Sequence, residues 1–236
     1  MKPVLVLQHL VDDGPGYLGT WLRAYDVPVD IRCTEAGDGF PESVDGYRAL
    51  AILGGSMSAN DDLPSLRRAE DLIRQAVRDE VPMLGHCLGG QLMARALGAS
   101  VAASPAPEVG WTPITVDDHA VARDWFGSAR TPIVFQWHGE AFGLPDGAQR
   151  LAWSACCPNQ AFAVGVHLAL QFHVEVDAAK IEAWIGKPDG LYLTGRRAHP
   201  SSVQPAGAML AGIPQWLAAQ QELADRLYRR WLALPG

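Results

Sequence analysis

Val81-Pro82-Met83-Leu84-Gly85-His86-Cys87-Leu88-Gly89-Gly90-Gln91 decides the reading of this chain. An apolar run passes through Gly85 and Gly89, two residues either side of Cys87, into the helical pattern Gln91-Leu92-Met93-Ala94-Arg95-Ala96-Leu97. A short strand turning sharply into a helix, with glycines at those flanking positions, is the pattern of a nucleophile elbow. Its apex residue is forced into strained backbone geometry, and glycine leaves room for the neighbouring chain. A thiol at the start of a helix feels the positive end of the dipole, which favours the nucleophilic thiolate. A lone cysteine is more often a small buried hydrophobe. Two glycines at symmetric spacing are not needed to bury a thiol, so Cys87 is the candidate nucleophile.

A cysteine nucleophile needs a base, a group to orient that base, and donors for the oxyanion. Val166 to Glu175 reads as a strand, on which residues i and i+2 share a face. His173 and Glu175 therefore point the same way, with the carboxylate placed to support the imidazole. The other histidines, His9, His86, His119, His167 and His199, stand without partners at metal-ligand spacing, so no metal site is expected. His138 follows Phe135-Gln136-Trp137 at the end of a predicted strand, before Gly139, and lies either at a pocket rim or on a polar loop. The backbone N–H of Leu88 is one oxyanion donor by the geometry of the elbow. A second is expected from Gly54-Gly55, which ends the buried run Ala49 to Leu53.

Apolar strands alternating with helical patterns give an α/β fold with a central, mostly parallel sheet. Parallel strands are predicted over Val4–Gln8, Val29–Cys33, Ala49–Leu53 and Val81–Gly85, with helices near Tyr17–Tyr25, Ser65–Glu80 and Gly89–Leu97. After Gly98, shorter strands around Thr112–Val116, Pro132–Trp137 and Ala161–Leu170 predict an antiparallel extension. The spacing of apolar residues predicts a packing helix over Pro214–Leu234.

At 236 residues and 48% hydrophobic content, one core spanning residues 1–236 as a single domain is expected. A net charge of -7 and dispersed arginines argue against a nucleic-acid partner. No apolar run reaches membrane-spanning length, and Val4 to Leu7 reads as a first strand rather than a leader. Four cysteines without a disulfide framework fit a reducing cytoplasm.

Taken together, Pro82 to Gln91, Gly54-Gly55-Ser56-Met57-Ser58 and Gln171-Phe172-His173-Val174-Glu175 resemble the class I (triad) glutamine amidotransferases, in particular the stand-alone branch similar to the glutaminase domain of GMP synthase. Glu108-Val109-Gly110-Trp111, Trp137-His138-Gly139-Glu140 and Cys157 to Phe162 add to the likeness, which runs to about Trp184. The resemblance implies a flavodoxin-like fold and no cofactor. It makes Cys87 the nucleophile, His173 the general acid/base and Glu175 its orienting group. Gly55 and Leu88 fall at the oxyanion positions, and Gln91, with His138 beside it, on the substrate side. It further implies hydrolysis of the glutamine side-chain amide through a γ-glutamyl thioester, with ammonia passed to a separate synthetase subunit, since no Walker-type phosphate loop is present. A γ-glutamyl peptidase acting on glutathione-type peptides, or a regulatory module without activity, would use the same fold. Ser56 and Val174 replace prolines usual in the family, His86 replaces an aliphatic residue, and Gly186 to Gly212 matches no family motif.

Overall fold

Residues 2–233 are described by the computed structural model. Strand β1 (Val4–Gln8) is buried on both faces, and its alternation sends Val4 and Val6 into one core and Leu5 and Leu7 into another. That is the signature of a sheet covered on both sides. Helices α1 (Gly16–Ala24), α4 (Ala120–Phe126) and α7 (Ala206–Trp231) pack on the first face, and α2 (Pro64–Arg78) and α3 (Leu88–Ala96) on the second.

The main sheet has eight strands in the order β2-β1-β3-β4-β10-β9-β8-β6. β2 (Val29–Cys33), β1, β3 (Ala49–Ile52), β4 (Met83–His86) and β10 (His167–Leu170) run parallel. β9 (Ala161–Val164), β8 (Gln149–Trp153) and β6 (Thr115–Val116) extend it antiparallel, as the sequence implied. A separate antiparallel ribbon pairs β5 (Val101–Pro113) with β7 (Ile133–Phe142). With α5 (Ala178–Gly186) and α6 (Gly190–Ala198) it surrounds a third apolar cluster, built around Val109, Trp111, Phe135 and Ile181.

Four expectations are corrected. The run Ala161–Leu170 is not one strand but the hairpin β9–β10, turned at Gly165, whose φ of 56° suits glycine. β10 stops at Leu170, so His173 and Glu175 lie beyond it in irregular backbone rather than on a strand. β7 continues through His138 to Phe142 because it pairs with β5 along its length, so His138 is in a strand and not in a turn. The last helix begins at Ala206, with Pro214 inside it. Its first turns are held by packing: the Trp111 indole donates to the Met209 carbonyl at 3.0 Å, and the Trp111 ring lies where a side chain on Gly212 would stand. Pro214 faces solvent, where its missing N–H is tolerated. The predicted end of that helix, Leu234, lies outside the described residues.

Candidate active site

The elbow forms at the C-terminal ends of the parallel strands, where open α/β sheets bind ligands. Cys87 joins β4 to α3 with φ 48° and ψ -107°, a left-handed conformation that is costly for a residue with a side chain. Its N–H donates to the Leu170 carbonyl at 2.8 Å, and its own carbonyl accepts from Gln91 N at 2.9 Å, so the apex is pinned from both sides. The glycines permit this by close approach. A Cβ on Gly85 would stand 2.6 Å from the Gly89 carbonyl carbon, and one on Gly89 would collide with the Ile52 carbonyl in β3.

His173 and Glu175 are buried in the segment after β10, and their side chains meet at 2.7 Å, Nδ1 to Oε1. His173 N donates to the Phe135 carbonyl and Tyr17 N to the Glu175 carbonyl, which fixes both residues without a strand. The side chains of Cys87 and His173 both border Gly54: a Cβ there would lie 3.1 Å from His173 Cε1 and 3.8 Å from Cys87 Cβ. Burial alone would pull the His173 imidazole down. The Glu175 carboxylate and the adjoining Cys87 sulfur outweigh it and push the ring up to about 10. Burial would raise Glu175, but His173, His86 and Lys180 together hold it below the usual carboxylate range. These surroundings therefore favour the protonated form of His173 at neutral pH.

A cavity of about 600 Å³ opens onto this group. Cys87, His173, Gly55, Gln91 and His138 all line it, while Glu175 and Leu88 do not. Leu88 lies behind Gly55, where a Cβ would stand 2.9 Å from Leu88 Cδ2. Gln91 is tied to the far wall, its Nε2 donating to the Glu140 carbonyl at 3.0 Å.

His86 is not part of the wall. It is fully buried behind Glu175, with Nε2 3.8 Å from Glu175 Oε2, and burial pulls its ring down to about 4, so it stays neutral.

Two contacts escape sequence reasoning because tertiary folding alone supplies them. Buried Lys180 of α5 places Nζ 2.6 Å from Asp13 Oδ1, 2.7 Å from the Gly14 carbonyl and 3.9 Å from Glu175 Oε1. Gln171 Nε2 sits 3.6 Å from Cys87 Sγ. Gly54, one of the glycine pair expected to face the oxyanion, gives the sulfur and the imidazole their common border. The sequence search for metal spacing also missed the convergence of Glu108, His138 and Cys157, whose ligand atoms lie within 4.8 Å of one another. Their donor chemistry does not fit a metal site. Glu108 already accepts from Ser154 Oγ at 2.8 Å and Gln160 Nε2 at 2.7 Å, and burial pushes the Cys157 thiol up to about 12. His138 stands beside Glu108, with Nε2 3.3 Å from Glu108 Oε2, and is held by the Nδ1 contact to the Glu140 carbonyl at 3.1 Å.

A cysteine on an elbow and a carboxylate-backed histidine thus meet at one edge of a doubly covered α/β sheet. The chain belongs to the family Glutamine amidotransferase class-I, whose model it matches over residues 22–183. It is 33% identical over 177 residues to the glutamine amidotransferase-like protein YfeJ of Salmonella typhimurium, covering 72% of this chain and 70% of that one. It is 32% identical over 144 residues to gamma-glutamyl peptidase 4 of Arabidopsis thaliana, covering 58% and 57%. Among solved structures, a glutamine amido transferase from Methylobacillus flagellatus superposes with a TM-score of 0.94 at 34% identity, covering 100% of this chain and 96% of that one. No helix among the described residues is long and apolar enough to cross a membrane.

Proposed function

We propose that the chain hydrolyses a γ-glutamyl amide, glutamine being the simplest, with Cys87 as nucleophile, His173 as acid and base, and Glu175 as the group that orients His173. The observation that carries this is the strained Cys87 apex bordering the same cavity as the 2.7 Å His173–Glu175 pair. Cys87 sulfur, its proton passed to His173, bonds to the amide carbon, and the carbonyl oxygen takes up negative charge facing the backbone N–H groups of Leu88 and Gly55. The C–N bond then breaks as His173 gives its proton to the departing nitrogen. A water attacks the thioester, His173 takes the proton of that water, and glutamate leaves with Cys87 restored. With glutamine the departing nitrogen leaves as ammonia; with a γ-glutamyl peptide, the substrate named for the Arabidopsis relative, it leaves as part of a larger amine.

The test is mass spectrometry of the intact protein mixed with glutamine or a γ-glutamyl anilide and quenched in acid. A γ-glutamyl adduct on the peptide carrying Cys87, absent in Cys87→Ala, is the expected result. Turnover by Cys87→Ala at the wild-type rate overturns the assignment.

A further inference from the structure

The cavity is larger than glutamine requires. At about 600 Å³ it falls within the range of pockets that enclose drug-sized molecules. The side on which its extra space is used follows from the proposed reaction, on which this inference rests. His173 must reach the departing nitrogen, so the departing group extends along the wall beyond His173.

That wall is aromatic and then acidic. The Trp184 ring meets the His173 ring edge-on, with centroids 4.9 Å apart and an interplanar angle of 80°. Trp137 follows, 5.7 Å from Trp184 and stacked at 5.7 Å on Tyr192 of α6. Its indole N–H donates to Asp189 Oδ2 at 3.0 Å, which puts a carboxylate at the end of the aromatic surface. Asp12 stands at the same mouth, paired at 3.1 Å with Lys187. Both partners of that pair are largely exposed, 68% and 77%, so the contact is weak and readily exchanged for another cation. Among the described residues lining the cavity, Asp12, Asp13, Glu140 and Asp189 are acidic, against Lys187 and the protonated His173, so acidic groups are in excess. Buried Lys180 offsets Asp13. Glu140 sits at the opposite side, its backbone carbonyl accepting from Gln91 Nε2 and its carboxylate from Ser58 Oγ at 2.8 Å, on the side of the glutamyl part.

We propose that this site selects γ-glutamyl amides whose departing amine has an apolar body and a second, distal positive charge. The apolar part lies on Trp184 and Trp137, and the cation lies over the aromatic faces between Asp189 and Asp12. Departing groups that end in a carboxylate, as γ-glutamyl peptides do, meet Asp189 and an Asp12 that only an exposed Lys187 screens.

The experiment measures kcat/KM of the full chain, at low ionic strength, for glutamine, γ-glutamylglycine, γ-glutamylbenzylamide and the mono-γ-glutamyl amide of diaminopentane. The diamine derivative is expected to exceed γ-glutamylglycine by about tenfold or more, the benzylamide to fall between, and the advantage to shrink with added salt. Asp12→Asn and Asp189→Asn should each narrow the ratio; asparagine also caps helices, so α6 keeps its start. γ-Glutamylglycine used as well as the diamine derivative overturns this inference alone. No turnover of any of the four, with no adduct on Cys87, overturns the hydrolase assignment and this inference with it.

Discussion

The elbow and the wall formed by residues 186–199 border one cavity but are built in opposite ways. In the elbow, β4 and the first seven residues of α3 are all buried, and backbone touches backbone. In α6 only Gly195 is buried, and the helix is held by side chains: Asp189 to Trp137, Tyr192 on Trp137, and Leu191 against Gly139. The first region fixes geometry to fractions of an ångström, which bond-making needs. The second is an adjustable surface, which selection among substrates needs.

The largest expected difference is chemical. Cys87→Ala should lower kcat by several orders of magnitude, and His173→Ala nearly as much, while Glu175→Gln retains more, because it removes charge support but not the proton carrier. Leu191→Ala, across the cavity in α6, should leave kcat nearly unchanged. Steady-state kinetics with intact folding by circular dichroism checks both, and comparable losses of kcat from the two sides would erase the contrast.

The next difference concerns stability. Gly89→Ala forces a methyl group against the Ile52 carbonyl and should cost about 1–3 kcal/mol. Gly190→Ala meets nothing within 4 Å and should be neutral, or stabilising by a few tenths to about 1 kcal/mol through helix propensity. Urea unfolding of both variants measures the pair.

A smaller effect separates the buried histidines from the rest by pH. Burial holds His9, His86 and His167 down to about 4 each, so below their unfolded value of about 6.5 the unfolded chain takes up protons that the folded chain refuses. Stability should therefore fall as pH drops from about 6.5 toward about 4, by up to roughly 1.4 kcal/mol per pH unit for each residue. His173 has the opposite sign: raised to about 10, it adds stability fully present below about 6.5 and lost as pH rises toward its folded value. His167→Gln should flatten the acid limb, read from urea midpoints at pH about 7 and about 5. The smallest effect is on recognition, where Leu191→Ala should change KM by roughly threefold to tenfold for a bulky γ-glutamyl amide and less for glutamine.

The same contrast governed what could be read from the sequence. β1 and β2 fall at the predicted residues, and α1, α2 and α3 within two, because buried strands and amphipathic helices carry their signal locally. Cys87, His173 and Glu175 lie in short motifs whose spacing survives without tertiary context. β9 and β10 were fused because Gly165 alone marks their turn, and β7 was cut short because Gly139 looks like a break. That glycine instead makes room for Leu191, with a Cβ there 2.6 Å from Leu191 Cδ1. Lys180 and the Glu108–His138–Cys157 cluster are assembled across long sequence separations, which no local pattern reports.

The attachment of α6 also bears on how new specificities could be made. Its ties to the rest of the chain are side-chain contacts, with Gly195 resting near Val203 and Pro107, and it contributes no strand to either sheet. Residues 187–199 are therefore a transplantable cassette: exchanging them for the corresponding stretch of a relative, while keeping Gly139 and Trp137 as the receiving surface, should yield chimaeras that fold on the same scaffold and differ in which amides they accept.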